Sequence, residues 1–237
     1  MIATGWPRVR QQELMDQPGL RAEDHRRALA GLCRINQISR TASYIWRPLE
    51  QLARQVEGRK LRVLDLACGG GDVLMGCAHR LVKRGLAVEL HGVDQSETAI
   101  DAAQTLSRQA GLKHVRFSRL DVLSDALPED YDVVMSTLFF HHLADDQATL
   151  LLSRMAAAAR RAVLIDDLLR SRFAYGLAWL ACHTLTRSPI VRFDGPVSVR
   201  AAFTVSELRD LCGGSGMSGA TFTRHWPARV LIQWNKP

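Results

Sequence analysis

The stretch Val63-Leu64-Asp65-Leu66-Ala67-Cys68-Gly69-Gly70-Gly71-Asp72-Val73 decides the fold. Its first half is an apolar run of strand type. Its second half is a glycine turn that opens into a segment of helical spacing, from Asp72 to Lys83. Strand, glycine turn and helix in that order form the first joint of a doubly wound sheet. Ligands bind there at the carboxyl edge of the strands, and glycine lets them approach the backbone closely, which makes Gly69 and Gly71 the candidate contact positions. No lysine follows the glycines at a helix start, which excludes the triphosphate P-loop. Leu74 stands three residues after Gly71, so the spacing of the dinucleotide fingerprint is absent as well.

Outward from this joint the chain alternates. Strands are expected at 61–67, 87–94, 114–121, 131–140 and 161–168, with helices at 72–83, 96–110 and 145–159 between them. This pattern predicts βαβ units and a parallel sheet covered by helices on both faces. Upstream, Ile38, Ala42, Ile45, Leu49, Leu52 and Val56 recur at helical spacing, and Pro48 is expected to divide that run into two helices. Downstream the regularity breaks at 168–200, where Phe173 to Ile190 reads as one inserted helix covering the sheet edge. A capped helix at 204–216 and a hairpin around Pro227 finish the chain. The expected organisation is therefore an N-terminal helical lid, residues 1–60, and one domain, 61–237, that carries the 168–200 insertion.

Composition narrows the class. The length of 237 residues suits one elaborated core. No apolar run approaches the roughly 20 residues of a bilayer span, and the first residues lack a signal-type apolar run, so a cytoplasmic protein without a membrane span is expected. Five cysteines lie scattered without a CxxC pair, as free thiols rather than a disulfide or zinc framework. The net charge of +7 is uneven: residues 1–60, 61–160 and 161–237 sum to +5, −3 and +5. Basic flanks of this kind are either solvated surface or an attraction for an acidic partner or substrate.

Two carboxylates follow the glycine turn at strand ends. Asp94 can accept hydrogen bonds from both hydroxyls of a ribose, and Asp121 from an adenine amino group. With Asp65 to Gly71, Asp94, Asp121-Val122 and Tyr131-Asp132-Val133-Val134 on the page, residues 60–168 resemble the class I S-adenosylmethionine-dependent methyltransferases. Within them the chain is most similar to small-molecule enzymes related to those of quinone biosynthesis. The resemblance implies a Rossmann-like α/β fold with a seven-stranded, mostly parallel sheet, a last antiparallel strand from Ala228 to Asn235 beside the fifth, and S-adenosyl-L-methionine as cofactor. Carried onto this sequence, it implies a cofactor site of Asp65, Ala67, Cys68, Gly69, Gly71, Asp94, Gln95, Asp121, Val122, Ser136 and Thr137. Ala67 stands where many members have glycine, which should narrow the loop.

The end of the fourth strand, Ser136-Thr137-Leu138-Phe139-Phe140-His141-His142, bears on the acceptor. It lacks the Asn/Asp-Pro-Pro-aromatic tetrapeptide of amino-group methylases and the nucleophilic cysteine of RNA cytosine-C5 methylases. Asp166-Asp167 could mimic half of a catechol-type metal site, but Ser136 and Thr137 supply no matching carboxylate, and no third ligand stands beside the histidine pair. No metal is expected. What remains is methyl transfer to a hydroxyl or activated carbon, for which the enzyme aligns the partners and removes a proton. His141 or His142 suits that task near neutral pH, the alternative being a purely structural loop. His183 and His225 are the other candidate bases. The expected acceptor is a small, flat, weakly acidic ring such as a phenol, hydroquinone or polyketide product, held among Tyr44, Trp46, Phe173, Tyr175 and Trp179. An RNA-directed methyltransferase, or an RNA-binding partner subunit using the basic flanks, is the alternative, against which no RNA module or basic run of five stands in the chain. Residues 1–60 could instead mediate a homodimer.

Overall fold

The computed structural model describes residues 6–17 and 19–237. The glycine joint comes out as read: β1 (Leu61–Leu66) leads through the turn into α3 (Asp72–Lys83). Ahead of it lie α1 (Ala22–Ile38) and α2 (Thr41–Arg54). After it come β2 (Val88–Asp94), α4 (Glu97–Gln109), β3 (Val115–Arg119), β4 (Tyr131–Thr137), α5 (Asp145–Ala158) and β5 (Ala159–Leu168). Then follow α6 (Arg172–Leu185), α7 (Pro189–Ala201), α8 (Val205–Gly214), β6 (Thr221–His225) and β7 (Arg229–Asn235). The seven strands run in the order β3-β2-β1-β4-β5-β7-β6. β7 pairs antiparallel with β5, Ile165 opposite Ile232, while β1 to β5 pair in parallel. The topological switch therefore falls between β1 and β4, and a ligand site is expected at their carboxyl ends.

Alternating residues of the strands feed two cores. Leu64, Leu66 and Val134 pack with α5 and α8 on one face. Val63, Leu90 and Val133 pack with α2, α3 and α4 on the other. Helix starts carry the caps their sequences promise: Ser96 accepts from the Ala99 amide, and Thr204 and Glu207 form a reciprocal capping box.

Three expectations are corrected. The N-terminal run breaks at Arg40, whose backbone is left-handed (φ 56°), and not at Pro48, which sits buried inside α2. The supposed single stripe belongs to two helices, since Ile38 is 59% exposed while Ile45, Leu49 and Leu52 are buried. Burying those three contributes roughly 1.5–3 kcal/mol each, which outweighs the ~3 kcal/mol that an interior proline costs. Second, the insertion is two helices, because Ser188 caps a new one at Pro189. They pack with α1 around Ala28, Cys182, Ile190 and Val191 as a third, small core. Third, β4 ends at Thr137, and Phe140–His142 form a 3-10 turn.

The N-terminal segment is tied down over α7. Asp194 accepts from the Leu14 and Met15 amides at 2.7 and 3.1 Å, and Arg8 donates to the carbonyls of Ala201 and Leu143 at 2.6 and 2.7 Å. This strap carries Glu13 and Asp16 to the carboxyl end of β4.

Candidate active site

One cavity of about 870 Å³ opens at the switch point. Its floor is the glycine loop. Ala67, Gly69 and Gly71 all have left-handed backbone, with φ of 54°, 54° and 73°, so the chain can reverse between β1 and α3 within five residues. An alanine there is strained by roughly 1–2 kcal/mol. Asp94 fastens the loop to α4, accepting from the Gly69 amide at 2.8 Å and the Ser96 amide at 2.9 Å. Burial pushes the Asp94 carboxyl above its ordinary value, those two amides opposing the shift. Asp121, at the end of β3, accepts from the Leu123 amide at 2.9 Å, the main cause of its lowered pKa.

Of the sequence-predicted cofactor residues, Ala67, Cys68, Gly69, Asp94, Gln95, Asp121, Val122 and Thr137 line the cavity. Asp65, Gly71 and Ser136 lie behind its wall. Ser136 is fully buried and donates its hydroxyl to the Leu66 carbonyl at 3.0 Å. A side chain on Gly71 would meet Phe117 at 2.6 Å, so that glycine serves packing as well as the turn. Asp65 is 1% exposed, and neither of its oxygens has a partner among the described residues. Desolvation, then Asp72 and Asp94, push its carboxyl well above the ordinary range.

These features fit the implied cofactor. Nothing lies within 4 Å of a Cβ built on Gly69, which leaves open space above the loop. The unpartnered Asp65 carboxylate and the unpartnered, buried Nε of Arg229 are the complement of an amino-acid tail. Asp94 and Asp121 offer acceptor oxygens to a ribose and an adenine. Sequence reasoning missed Arg229 because it lies far down the chain, on the strand that folds back beside β5.

The opposite wall holds the histidines. His141 is 4% exposed; its Nδ1 lies 2.7 Å from Asp167 Oδ1, and its amide donates to Asp167 Oδ2 at 3.1 Å. Burial alone would raise the Asp167 carboxyl, but the His141 imidazole outweighs it and the pKa falls below the ordinary value. His142 Nδ1 lies 3.0 Å from Asp16 Oδ2. Burial lowers the His142 pKa, yet the Asp16 hydrogen bond and the charge of Glu13 prevail and carry it up to about 9. Glu13 Oε1 stands 3.7 Å from His141 Nε2 and 3.9 Å from His142 Nε2. A third ligating side chain, absent beside the pair in the sequence, is thus present in the fold. His183 and His225 do not reach the cavity. The first bonds the Trp179 carbonyl, and the second bonds Asp166 and stacks on Tyr44.

The expected aromatic lining is also corrected. Phe173 and Trp179 are 67% and 50% exposed, Tyr175 packs against Trp6, and Trp46 lies under Arg84. Helix α6 turns its aliphatic side inward, so Leu177 and Leu185 face Leu29, Leu32 and Ile35 of α1 across the cavity, with Phe139 near the histidines.

Comparison with known proteins agrees with this geometry. Residues 63–162 match the family model described as a methyltransferase domain. The fold is similar to magnesium protoporphyrin IX methyltransferase from Synechocystis PCC 6803, solved with bound SAH: TM-score 0.60, 16% identity, 94% of this chain and 91% of that one. It is also similar to the plantazolicin methyltransferase BpumL, with TM-score 0.66, 16% identity and 90% of each chain covered. One stretch of 69 residues is 35% identical to a 23S rRNA (uracil(747)-C(5))-methyltransferase of Mannheimia succiniciproducens, covering 29% of this chain and 18% of that enzyme. The chain has the class I methyltransferase fold, and its residues 63–162 match a methyltransferase domain. No described helix is long and apolar enough to cross a membrane.

Proposed function

We propose that this chain methylates a hydroxyl or an activated carbon of a small, largely apolar acceptor such as a phenol, quinol or polyketide-type ring. Bound S-adenosylmethionine supplies an electrophilic methyl group. The rest falls to the chain: Asp94, Asp121 and the glycine loop hold one side of the cavity, and the aliphatic sides of α1 and α6 hold the other. The observation that carries the reading is the buried His141–Asp167 pair at the cavity wall. A carboxylate behind Nδ1 fixes the ring's orientation and leaves Nε2 as its free nitrogen, the arrangement of an oriented general base. Among the wall's side chains, Leu20, Leu29 and Leu32 come from the first sixty residues, which supports a lid role for that segment.

The resemblance to an RNA uracil-C5 enzyme favours the second reading less. Neither β4 nor β5 ends in a cysteine, and the two cysteines lining the cavity, Cys68 and Cys182, are both held by burial above their ordinary pKa, hence poor nucleophiles. Isotope-labelled cofactor offered with phenols, β-dicarbonyl compounds, amines and ribosomal RNA separates the readings. Label in the first two groups is expected; label confined to amines or RNA overturns the proposal.

A further inference from the structure

We infer that Glu13, His141 and His142 form a binding site for a divalent transition metal at the acceptor end of the cavity. Their ligating atoms, one from each side chain, all lie within 4.8 Å of one another. Ligands on one tetrahedral ion at about 2.0–2.2 Å stand roughly 3.4 Å apart. The separations of 3.7 and 3.9 Å from Glu13 Oε1 to the two Nε2 atoms therefore need to close by only a few tenths of an ångström.

The surroundings are those of a ligand set rather than of a chance cluster. Metal-binding imidazoles are held by a carboxylate on the far ring nitrogen, and here both are: Asp167 on His141 at 2.7 Å, Asp16 on His142 at 3.0 Å. Glu13 is itself held, accepting from the Ser198 hydroxyl at 2.5 Å. The strap that brings Glu13 and Asp16 is fixed through the two amide bonds to Asp194. Two nitrogens and one carboxylate oxygen suit zinc, iron, manganese or cobalt better than magnesium or calcium, which prefer all-oxygen sites. All three ligands line the cavity, so the remaining positions of the ion face the acceptor.

The site would change how the acceptor loses its proton. A metal-bound hydroxide, accessible near neutral pH, takes the proton of an acceptor hydroxyl and leaves as water, and the acceptor oxygen takes its place as an oxyanion. In the metal-loaded protein His141 is then a ligand oriented by Asp167, and the base is the hydroxide. The inference rests on the proposed function only for naming the acceptor; metal binding itself is read without any substrate.

The full chain, stripped with chelator, is titrated with Co²⁺ and followed by its visible d–d absorption, with Zn²⁺ competition and metal analysis alongside. One ion per chain, bound at micromolar Kd or tighter and displaced by Zn²⁺, is expected. Glu13→Gln and His142→Ala should each weaken it at least 100-fold, and Asp16→Asn about 10-fold to 100-fold. Protection of each variant by S-adenosylhomocysteine against thermal unfolding should persist, which shows that the fold is intact. If the wild-type chain binds Co²⁺ no better than Glu13→Gln/His142→Ala, the inference is wrong. A chain that binds one ion in this way yet methylates no phenol or β-dicarbonyl keeps the metal site and loses the proposed function.

Discussion

Asp65→Asn separates the cofactor reading from a merely structural one, because it should move two observables in opposite directions. The carboxylate is 1% exposed, has no hydrogen-bond partner on either oxygen, and shares its surroundings with Asp72 and Asp94. Its folded pKa is raised, so the fold favours the protonated form. The stability penalty is absent below the ordinary carboxylate pKa and grows as pH rises towards the folded value. Leaving a charged group buried and unpaired costs more than leaving an amide so, by about 2 kcal/mol, and each kcal/mol is worth about 2–4 °C at this size. The asparagine variant without cofactor should therefore melt about 4–8 °C higher than wild type at pH 7.5, and the gain should shrink as pH falls. Affinity for S-adenosylhomocysteine should drop about 10-fold to 100-fold, the value of a charge-assisted hydrogen bond of roughly 1.5–3 kcal/mol to the ligand's ammonium. Calorimetric titration and thermal unfolding with and without ligand read both. A variant that melts lower and is protected as well as wild type would refute the assignment of Asp65 to the cofactor.

Asp167→Asn should cut kcat about 100-fold to 1000-fold while leaving the Kd of S-adenosylhomocysteine within about twofold, since it acts through His141 and not on the cofactor wall; equal losses in both would point to a collapsed wall. Gly71→Ala should destabilise by about 2–4 kcal/mol, because the left-handed backbone and a 2.6 Å approach to Phe117 both oppose it. Gly69→Ala, with open space above it, should cost only about 1 kcal/mol, and denaturant melts of the two compare them directly. His91, enclosed between Tyr131 and Ser118, has its pKa lowered to about 4 by burial and by Arg116. A lowered folded pKa means that stability is present above the unfolded value of about 6.5 and is lost as pH falls through the window from 6.5 to 4, by roughly 2–3 kcal/mol. His91→Gln should flatten that part of the stability profile; an unchanged slope would clear His91 of the effect.

The parts of this protein that were legible in the sequence are those where neighbouring residues determine one another. Glycines at 69 and 71 admit a left-handed turn, the residues around them alternate as strand and helix, and carboxylates at strand ends land on one edge of the sheet because parallel strands share a direction. Asp94 and Asp121 could be placed in that way to within the cavity wall. Ser136 could not, since whether a strand-end hydroxyl faces ligand or backbone depends on a register with β1 that the sequence does not print. The histidine pair shows the limit more sharply. Alone, His141 and His142 read as loop or base, and the sequence places no third ligand beside them. Glu13 and Asp16 reach them only because Asp194, on the second helix of the insertion, captures the amides of Leu14 and Met15. That capture joins segments almost two hundred residues apart through backbone donors, which carry no side-chain identity for a pattern to find. The aromatics of α6 point away from the cavity for a like cause: the helix has apolar residues nearly all round, so spacing cannot tell which side meets α1. Where chemistry depends on which distant segments meet, the residues name the candidate groups and only the fold brings them together.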